Sequence, residues 1–310
     1  MSVLVAGGTG LVGSAIVREL QSRNIDVLVV NSKVVDLLDR KATFQYVADH
    51  KPETIIDAAA MVGGIGANST YPVDFLSKNI QIQTNLMDAA HAAKVPGFLF
   101  LGSSCIYPRD CAQPIKEEYL LTGPLEETNS AYAIAKIAGI ELIKSFRKEY
   151  GRTWISLMPT NLYGPHDNFE LQGSHVLPAF IRRFIEATQN NVATETLWGT
   201  GSPKREFLHV DDLAAAVVHL GSTYDSSQHL NIGSGEDLTI KELAELVAEL
   251  AGFKGQIAWD STKPDGTPRK VLDVSKAKSL GWAPKISLRD GIASTIAWYK
   301  DASAKGVARR

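Results

Sequence analysis

Four side chains that can move or stabilise a proton lie between residues 103 and 136 of this sequence. Ser103 and Cys105 follow an apolar run, and Tyr132 and Lys136 are four residues apart. On a helix this spacing places two side chains on one face, one turn apart. A protonated lysine there is expected to lower the pKa of the phenol from about 10 towards neutrality, so that the phenol exchanges a proton with a carbonyl oxygen. The alternative is a structural pair, because tyrosine and lysine occur at this spacing in many helices.

The position of Ser103 favours the catalytic interpretation. It follows residues 98–101, a run typical of a buried strand, and the sites of α/β proteins lie at the carboxyl ends of parallel strands. Ser103 can donate a hydrogen bond to the same substrate oxygen as Tyr132, which completes a Ser/Tyr/Lys group in the chain order of short-chain dehydrogenases. The alternative is that Ser103 and Ser104 only terminate the strand.

A glycine-rich turn at the start of the chain indicates a dinucleotide site in preference to an ordinary strand-to-helix turn. It follows the apolar run 3–6 and precedes a helical pattern, which is the order of the dinucleotide fingerprint. Gly7 permits the tight turn, Gly10 lets backbone N–H groups approach a pyrophosphate, and Gly13 allows the helix to pack closely on the strand. The helix N-terminus then stabilises the anion. The residues predicted to bind this part of the cofactor are Gly7, Gly10, Leu11, Val12 and Gly13.

The end of the second predicted strand favours NADP(H) over NAD(H). Most NAD-specific sites carry an acidic residue there, which binds the adenosine ribose. This chain has Asn31 and Lys33 instead, and a lysine attracts the 2′-phosphate that a carboxylate would repel. The alternative is that Lys33 is a solvated surface lysine, and Asp36 is close to it in the sequence.

The elements that must position these residues alternate between short β-rich runs and longer helical patterns. This alternation predicts an α/β fold with a Rossmann-type, doubly wound parallel sheet. Its strands are expected to be continuous apolar runs because helices cover both faces of the sheet. The predicted strands are 3–6, 27–30, 54–58, 98–101 and 155–158, and the helices between them include 14–22, 78–93 and 132–150.

A smaller C-terminal α/β lobe that binds substrate is predicted after about Gly164, where the pattern becomes irregular. We expect an NADP-binding Rossmann domain over 1–164, completed by about 205–233, and a mainly substrate-binding lobe over 165–310. The elements predicted after Gly164 are a helix over Val176–Gln189, strands near 196–198 and 229–232, and a core-facing amphipathic helix over 238–250 that Thr239 could cap.

Composition and charge exclude several classes of protein. The chain has 310 residues, of which 45% are hydrophobic and 21% charged, and these values exclude disordered and collagen-like chains. Its 32 basic and 34 acidic residues leave a net charge of −2, and no basic run supports a nucleic-acid partner.

No stretch approaches the roughly 20 apolar residues of a membrane span, so a cytoplasmic protein is expected. Cys105 and Cys111 are the only cysteines, too few for a disulfide framework or a cysteine-based metal site.

Longer motifs make the resemblance to one family specific. The sequence resembles the GDP-L-fucose synthases, which are of the extended short-chain dehydrogenase type, from its first strand to near residue 300. That family converts GDP-4-keto-6-deoxy-D-mannose to GDP-L-fucose by epimerising C3 and C5 and reducing the C4 ketone with NADPH. The resemblance implies the same substrate for this chain, and a homodimer. The motifs that carry it are 102–108, 132–136, 159–168, 205–212 and 263–270.

The resemblance also implies separate roles for the candidate catalytic residues. Removal of the proton from C3 or C5 gives an enolate whose oxygen Ser103 and Tyr132 can stabilise. Cys105 is then the base, and His175 is the acid that protonates the opposite face. A thiol and an imidazole suit proton exchange at neutral pH. Without the resemblance, Cys105 would be interpreted as a small buried apolar residue and His175 as an ordinary loop histidine.

Two ligands need further contacts, which the resemblance assigns. The diphosphate and guanine of the substrate need cations and a stacking or hydrogen-bonding wall, although each charged candidate could equally be solvated. His166 and Asp167 have no third ligand at a suitable spacing, so no metal site is predicted. The substrate residues chosen are Arg183, Trp198, Arg205 and Asp265, from a set that also contains Arg182, Lys204 and Arg269. The remaining cofactor residues are Leu101, Gly102, Lys136, Pro159, Thr160, Asn161, Leu162 and His175.

Other functions share part of this pattern. A nucleotide-sugar 4-epimerase or 4,6-dehydratase shares the glycine turn and the Tyr132/Lys136 pair. A 4-epimerase returns its hydride and consumes no NADPH, and a dehydratase typically carries acidic residues after the serine, where this chain has Cys105. A catalytically silent NADP-binding regulator needs only the glycine turn, yet Ser103 is also present.

Overall fold

A computed structural model describes residues 2–171, 173–263 and 265–309. Strands and helices alternate in the first half of the chain and become less regular later. The strands are β1 (Ser2–Ala6), β2 (Asp26–Val30), β3 (Thr54–Asp57), β4 (Gly97–Leu101), β5 (Ile155–Pro159), β6 (Asn161–Tyr163), β7 (Thr194–Trp198), β8 (Lys204–His209), β9 (Leu230–Ile232), β10 (Asp237–Thr239), β11 (Gln256–Asp260) and β12 (Arg269–Lys270). The helices are α1 (Leu11–Ser22), α2 (Arg40–His50), α3 (Ile65–Thr70), α4 (Pro72–Ala92), α5 (Ser130–Tyr150), α6 (Val176–Gln189), α7 (Val210–Thr223), α8 (Ile240–Ala251), α9 (Ser275–Ser279) and α10 (Leu288–Ala304). Short 3-10 turns lie at Ser104–Ile106, Glu117–Tyr119 and Glu127–Asn129.

The central sheet is parallel, with the strand order β2-β1-β3-β4-β5-β9. The chain therefore moves outwards in one direction from β1 to β2 and in the other from β3 onwards. Ligands of doubly wound sheets bind at such a reversal, outside the carboxyl ends of the strands. The predicted Rossmann-type sheet is confirmed.

Alternate residues of each central strand pack on opposite faces of the sheet. Phe98 and Phe100 of β4 contact the core under α4 and α5, whereas Leu99 and Leu101 contact the core under α1 and α7. Both faces are thus covered, which explains why the strands are continuous apolar runs. The sheet and the helices on its two faces form three layers. In this arrangement the carboxyl ends of β1, β3, β4 and β5 lie in one row.

A second core lies among α6, α8 and α10, around buried residues such as Phe184, Val247 and Ile296. Two small sheets adjoin it, one with the order β10-β8-β12 and β6 beside β8, the other pairing β11 with β7. The predicted cap of α8 is confirmed: the Thr239 hydroxyl accepts a hydrogen bond from the Glu242 N–H at 3.0 Å, and the Glu242 carboxylate accepts one from the Thr239 N–H at 2.7 Å.

The sequence prediction omitted several elements. The prediction lacked α2 and α7. It also began α4 at residue 78, whereas the helix begins at Pro72. A proline is tolerated in the first turn because the N–H that it lacks has no partner within the helix there. It treated residues 205–212 as a motif and so did not assign β8. Among the described helices, none combines the length and the apolar character that crossing a bilayer requires.

Candidate active site

The glycine turn between β1 and α1 has the geometry that a dinucleotide requires. Gly7 has φ +74°, and a Cβ there would lie 2.7 Å from the Ala58 carbonyl oxygen. A Cβ at Gly13 would lie 2.1 Å from the Gly7 oxygen, so α1 can approach the turn only without a side chain. Within the described residues, no side chain caps the N-terminus of α1 at Gly10. Its first N–H groups therefore remain available to an anion, and half-buried Leu11 and Val12 begin the helix.

The adenosine end of this site begins where β2 ends. Half-buried Asn31 accepts a hydrogen bond through Oδ1 from the Lys33 N–H at 2.9 Å. The resulting turn leaves the Lys33 side chain exposed. Its ammonium is therefore accessible to a 2′-phosphate without first leaving a buried contact.

Ser103, Tyr132 and Lys136 come together beyond the carboxyl end of β4. Ser103 precedes the 3-10 turn Ser104–Ile106, and its Oγ accepts the Cys105 N–H at 3.2 Å. Tyr132 lies on α5 and is hydrogen-bonded to Ser103. Lys136, one turn later, is 3% exposed, and its Nζ donates to the Leu101 carbonyl oxygen at 2.9 Å. The Lys136 ammonium lies 5.9 Å from the centre of the Tyr132 ring.

The predicted lowering of the Tyr132 pKa is wrong for this structure. Burial raises the pKa of the phenol, the charge of Cys105 raises it further, and the hydrogen bond with Ser103 lowers it less than burial raises it. Burial also lowers the pKa of Lys136 to about 8, against the raising effect of Asp57. Tyr132 therefore keeps its proton at neutral pH, which suits a proton donor better than a base.

Cys105 is half-buried beside two donors. Its Sγ lies 3.5 Å from the Nζ of Lys270 and 3.7 Å from the Nδ2 of Asn129. A cation at that distance stabilises negative charge on sulfur, which is the form that removes a proton. The geometry matches that of a base better than that of a packed apolar residue.

His175 lies just before the first turn of α6. His175 is exposed at the surface. Desolvation by nearby protein atoms still lowers the pKa of its imidazole, and the charge of Lys270 lowers it further. Lys270 thus acts on both predicted proton carriers. Because a diphosphate brings negative charge into the site, a bound substrate would favour protonated His175.

The segment after β5 lies against β8. Thr160 donates through its N–H to the Ile232 carbonyl oxygen at 3.0 Å, and the Asn161 Nδ2 donates to the Glu206 carbonyl oxygen at 2.8 Å. The side-chain amide of Asn161 is therefore committed to the protein, and its backbone belongs to β6, which pairs with β8. The other predicted cofactor residues of this region are buried Leu101, Gly102 and Pro159 and half-buried Leu162.

Trp198 ends β7 with 71% of its surface exposed, an unusual state for so large an apolar group. The ammonium of Lys263 lies 5.7 Å from its ring centre. Asp265 is close by, since both of its oxygens accept hydrogen bonds from Thr200, from the N–H at 2.7 Å and from the hydroxyl at 2.8 Å. An exposed indole beside a fixed carboxylate is suited to stacking on a base and accepting from its edge.

The two predicted arginines differ in their surroundings. Arg205 is next to Lys270 in the register of β8 and β12, and burial lowers its pKa against the charges of Cys105 and Asp265. Arg183 instead binds Glu195 through its Nε at 2.6 Å. Arg205 therefore belongs to the cluster around Cys105, whereas Arg183 must leave or share an ion pair to bind a diphosphate.

Sequence reasoning assigned no role to Asp57, Lys270 or Asn129. Asp57 ends β3 as a fully buried carboxylate, and its charge in an apolar run was the available indication. Lys270 lay inside a quoted motif, but only the pairing of β12 with β8 places it near Cys105.

The profile of the NAD dependent epimerase/dehydratase family matches residues 3–233. The chain belongs to this family. It is 56% identical over 298 residues to GDP-L-fucose synthase 1 of Arabidopsis thaliana, covering 96% of this chain and 92% of that one. It is 50% identical over 307 residues to GDP-L-fucose synthase of Escherichia coli K12, covering 96% of each. The predicted resemblance to GDP-L-fucose synthases is confirmed.

Solved structures of the family share the whole architecture. The NADP-bound GDP-L-fucose synthetase of Naegleria fowleri superimposes with a TM-score of 0.91 at 28% identity, covering 100% of this chain and 96% of that one. The central sheet, the glycine turn and the second lobe are therefore arranged alike in the two proteins.

Proposed function

We propose that this enzyme converts GDP-4-keto-6-deoxy-D-mannose to GDP-L-fucose by epimerising C3 and C5 and reducing C4, with NADP(H) as its cofactor. The observation that carries the proposal is that Cys105 lies next to the group of Ser103, Tyr132 and Lys136, since its N–H donates to the Ser103 Oγ at 3.2 Å. Ser103, Tyr132 and Lys136 suit reduction, and Cys105, with Lys270 3.5 Å from its sulfur, suits proton removal from carbon. The names of the relatives supply the substrate.

Epimerisation begins with proton removal by Cys105. Its sulfur takes the proton from C3 or C5, and the bonding electrons move into the C4 carbonyl to form an enolate. Hydrogen bonds from Ser103 and Tyr132 hold the enolate oxygen. His175 then gives a proton to the opposite face of the same carbon, which inverts it. Solvent resets both residues before the second carbon reacts.

Reduction uses the same oxygen contacts. NADPH, held by the glycine turn and Lys33, would supply the hydride for C4, and Tyr132 gives its proton to the C4 oxygen as that oxygen becomes an alkoxide. The raised pKa of the phenol keeps that proton available at neutral pH. The Lys136 ammonium then stabilises the phenolate that remains.

The nucleotide is assigned to the second lobe. Arg205 and Arg183 would bind the diphosphate, Trp198 would stack on guanine, and Asp265 would accept from its edge. We propose the same division as above, with a cofactor domain over 1–164 that is completed by about 205–233 and a mainly substrate-binding lobe over 165–310. Arg205 lies at the start of the completing segment, where the two parts meet.

The proposal extends to the oligomeric state and the cellular location of the enzyme. We propose that it works as a homodimer in the cytoplasm, by analogy with its family. Sedimentation equilibrium would test the oligomeric state, because a monomer at micromolar concentration would contradict it.

The proposed activity is tested by incubation with GDP-4-keto-6-deoxy-D-mannose and NADPH. We expect one NADPH oxidised per GDP-L-fucose formed. A 4-epimerase would consume no NADPH, and a simple reductase would give a D-configured 6-deoxyhexose.

A further inference from the structure

A buried carboxylate lies beneath the reductive part of the site, and the reaction above does not use it. Asp57 ends β3 and is 0% exposed. Its Oδ1 accepts the Ala59 N–H at 3.1 Å, whereas its Oδ2 is buried without a hydrogen-bond partner among the described residues. An isolated charge in such a place is costly unless an opposite charge offsets it.

The sheet register places Asp57 beside Lys136. Asp57 is paired with Phe100 across β3 and β4, so the two side chains leave the same face of the sheet. The Lys136 ammonium lies 4.8 Å from the centre of the Phe100 ring and donates to the carbonyl oxygen of Leu101, the next residue. The Lys136 ammonium and the Asp57 carboxylate therefore both lie beside the last residues of β4.

Among the described residues, the other titratable groups around Lys136 include no second carboxylate. Its own helix contributes Tyr132, whose phenol keeps its proton, and the turn after β4 contributes Cys105, whose sulfur faces Lys270. Helix α4 contributes the neutral amide of Gln83, which donates to the Ala135 carbonyl oxygen at 2.7 Å. Asp57 is the carboxylate that acts on both Lys136 and Tyr132.

We propose that Asp57 is a positioning residue for the reduction, holding Lys136 in its charged form against the end of β4. A lysine buried without a counter-charge tends to lose its proton, and a neutral amine cannot stabilise the phenolate left on Tyr132. Asp57 touches neither substrate nor cofactor in this scheme and acts through Lys136. The inference rests on the proposed reduction of the C4 ketone.

The variant Asp57→Asn tests the inference, with kcat/KM for C4 reduction measured between pH 6 and 9. In the parent the rate should fall as the pH rises through the Lys136 pKa of about 8. In the variant the fall should begin roughly one pH unit lower, which gives about a fivefold loss at pH 8. Near pH 6 the Asp57 carboxyl itself takes up a proton, so the two enzymes should have similar rates there.

Matched variants separate this effect from a structural one. Asp167→Asn removes another buried carboxylate, 5% exposed, and should leave the pH profile unchanged. Asp57→Ser should reproduce the shift of Asp57→Asn if the latter does not fold. An equal loss at every pH, or a profile that does not move, would overturn the inference.

A measurement without substrate distinguishes a failure of the inference from a failure of the proposed function. Acetylation of Lys136 by acetic anhydride, followed by mass spectrometry, reports the pH at which the amine becomes neutral. We expect that pH to be lower in Asp57→Asn than in the parent. If the parent does not reduce the 4-keto sugar but the acetylation profile shifts, the proposed function has failed, whereas the effect of Asp57 on the charge of Lys136 is confirmed. If the acetylation profile does not shift, the inference has failed whatever the activity.

Discussion

At the residue scale, burial sets the protonation of the two residues on α5: it raises the pKa of Tyr132 and lowers that of Lys136 to about 8. The Tyr132/Lys136 spacing predicted their common face, and the structure places them at the end of β4. The direction of the Tyr132 pKa could not be predicted, because it depends on burial by residues far apart in the chain. The proximity of Asp57 to Lys136 could not be predicted either, since the two residues are nearly eighty positions apart and only the pairing of the strands brings them together.

Tyr132→Phe removes the proton donor of the reduction. We expect C4 reduction to slow by about 10² to 10⁴ while NADPH affinity stays unchanged, because only one hydroxyl is lost. Stopped-flow absorbance at 340 nm and cofactor titration measure the two quantities. Tyr150→Phe, at the exposed end of the same helix, is the control. A Tyr132→Phe enzyme as fast as the parent would show that another group donates the proton.

Lys33→Ala tests the choice of cofactor. Loss of one charge-assisted contact with the 2′-phosphate should weaken NADPH binding by about 1.5 to 3 kcal/mol and leave NADH binding unchanged. Isothermal titration with both cofactors measures the difference, and Lys41→Ala removes a comparable exposed charge at the start of α2. Equal binding of NADPH and NADH by the parent would contradict the account of Asn31 and Lys33.

At the element scale, parallel strands and crossover helices were predictable because burial on both faces makes them continuous apolar runs. The second lobe was less predictable. Strand β8 mixes exposed charges with buried residues, and its partners β10, β12 and β6 come from distant parts of the chain. Glu206 explains the arrangement: its buried carboxylate accepts the N–H groups of Gly235 at 2.7 Å and Leu272 at 2.9 Å. It thereby ties two loops to β8 and helps to hold Lys270 over Cys105.

Lys270→Gln tests whether this pairing of β8 and β12 serves epimerisation. Removing the cation beside Cys105 should slow deuterium exchange at C3 and C5 by about 10 to 100 fold at neutral pH, because the thiolate loses its stabilising charge. Proton NMR of the sugar measures the exchange. Lys278→Gln, an exposed lysine on α9, is the control. Unchanged exchange would contradict this role of Lys270.

At the scale of the whole molecule, buried carboxylates make stability depend on pH. Burial raises the pKa of Asp167 to about 7 and that of Asp57 to about 6, whereas an unfolded aspartate has a pKa of about 3.9. The native state therefore binds these protons more tightly than the unfolded state. The contribution of these two carboxyls to the free energy of unfolding should fall as the pH rises from about 4 to 7.

Asp167→Asn tests this linkage. Oδ2 of Asp167 is buried without a hydrogen-bond partner among the described residues, so the variant should be more stable than the parent at pH 8 by on the order of 1 to 3 kcal/mol. The gain should shrink towards pH 5, where the parent carboxyl is protonated. Urea unfolding at both pH values measures it, with exposed Asp301→Asn as the control. Destabilisation at both pH values would show that the carboxylate has a stabilising partner.

The central claim is that one active site epimerises C3 and C5 of the substrate and then reduces C4. The most direct test is the reaction in D₂O with unlabelled NADPH, followed by NMR of the purified sugar nucleotide. The account predicts GDP-L-fucose with deuterium at C3 and C5, which come from solvent, and protium at C4, which comes from the hydride. Cys105→Ser should lose the deuterium at both positions. A reduced sugar that retains protium at C3 and C5 in the parent enzyme would contradict the account.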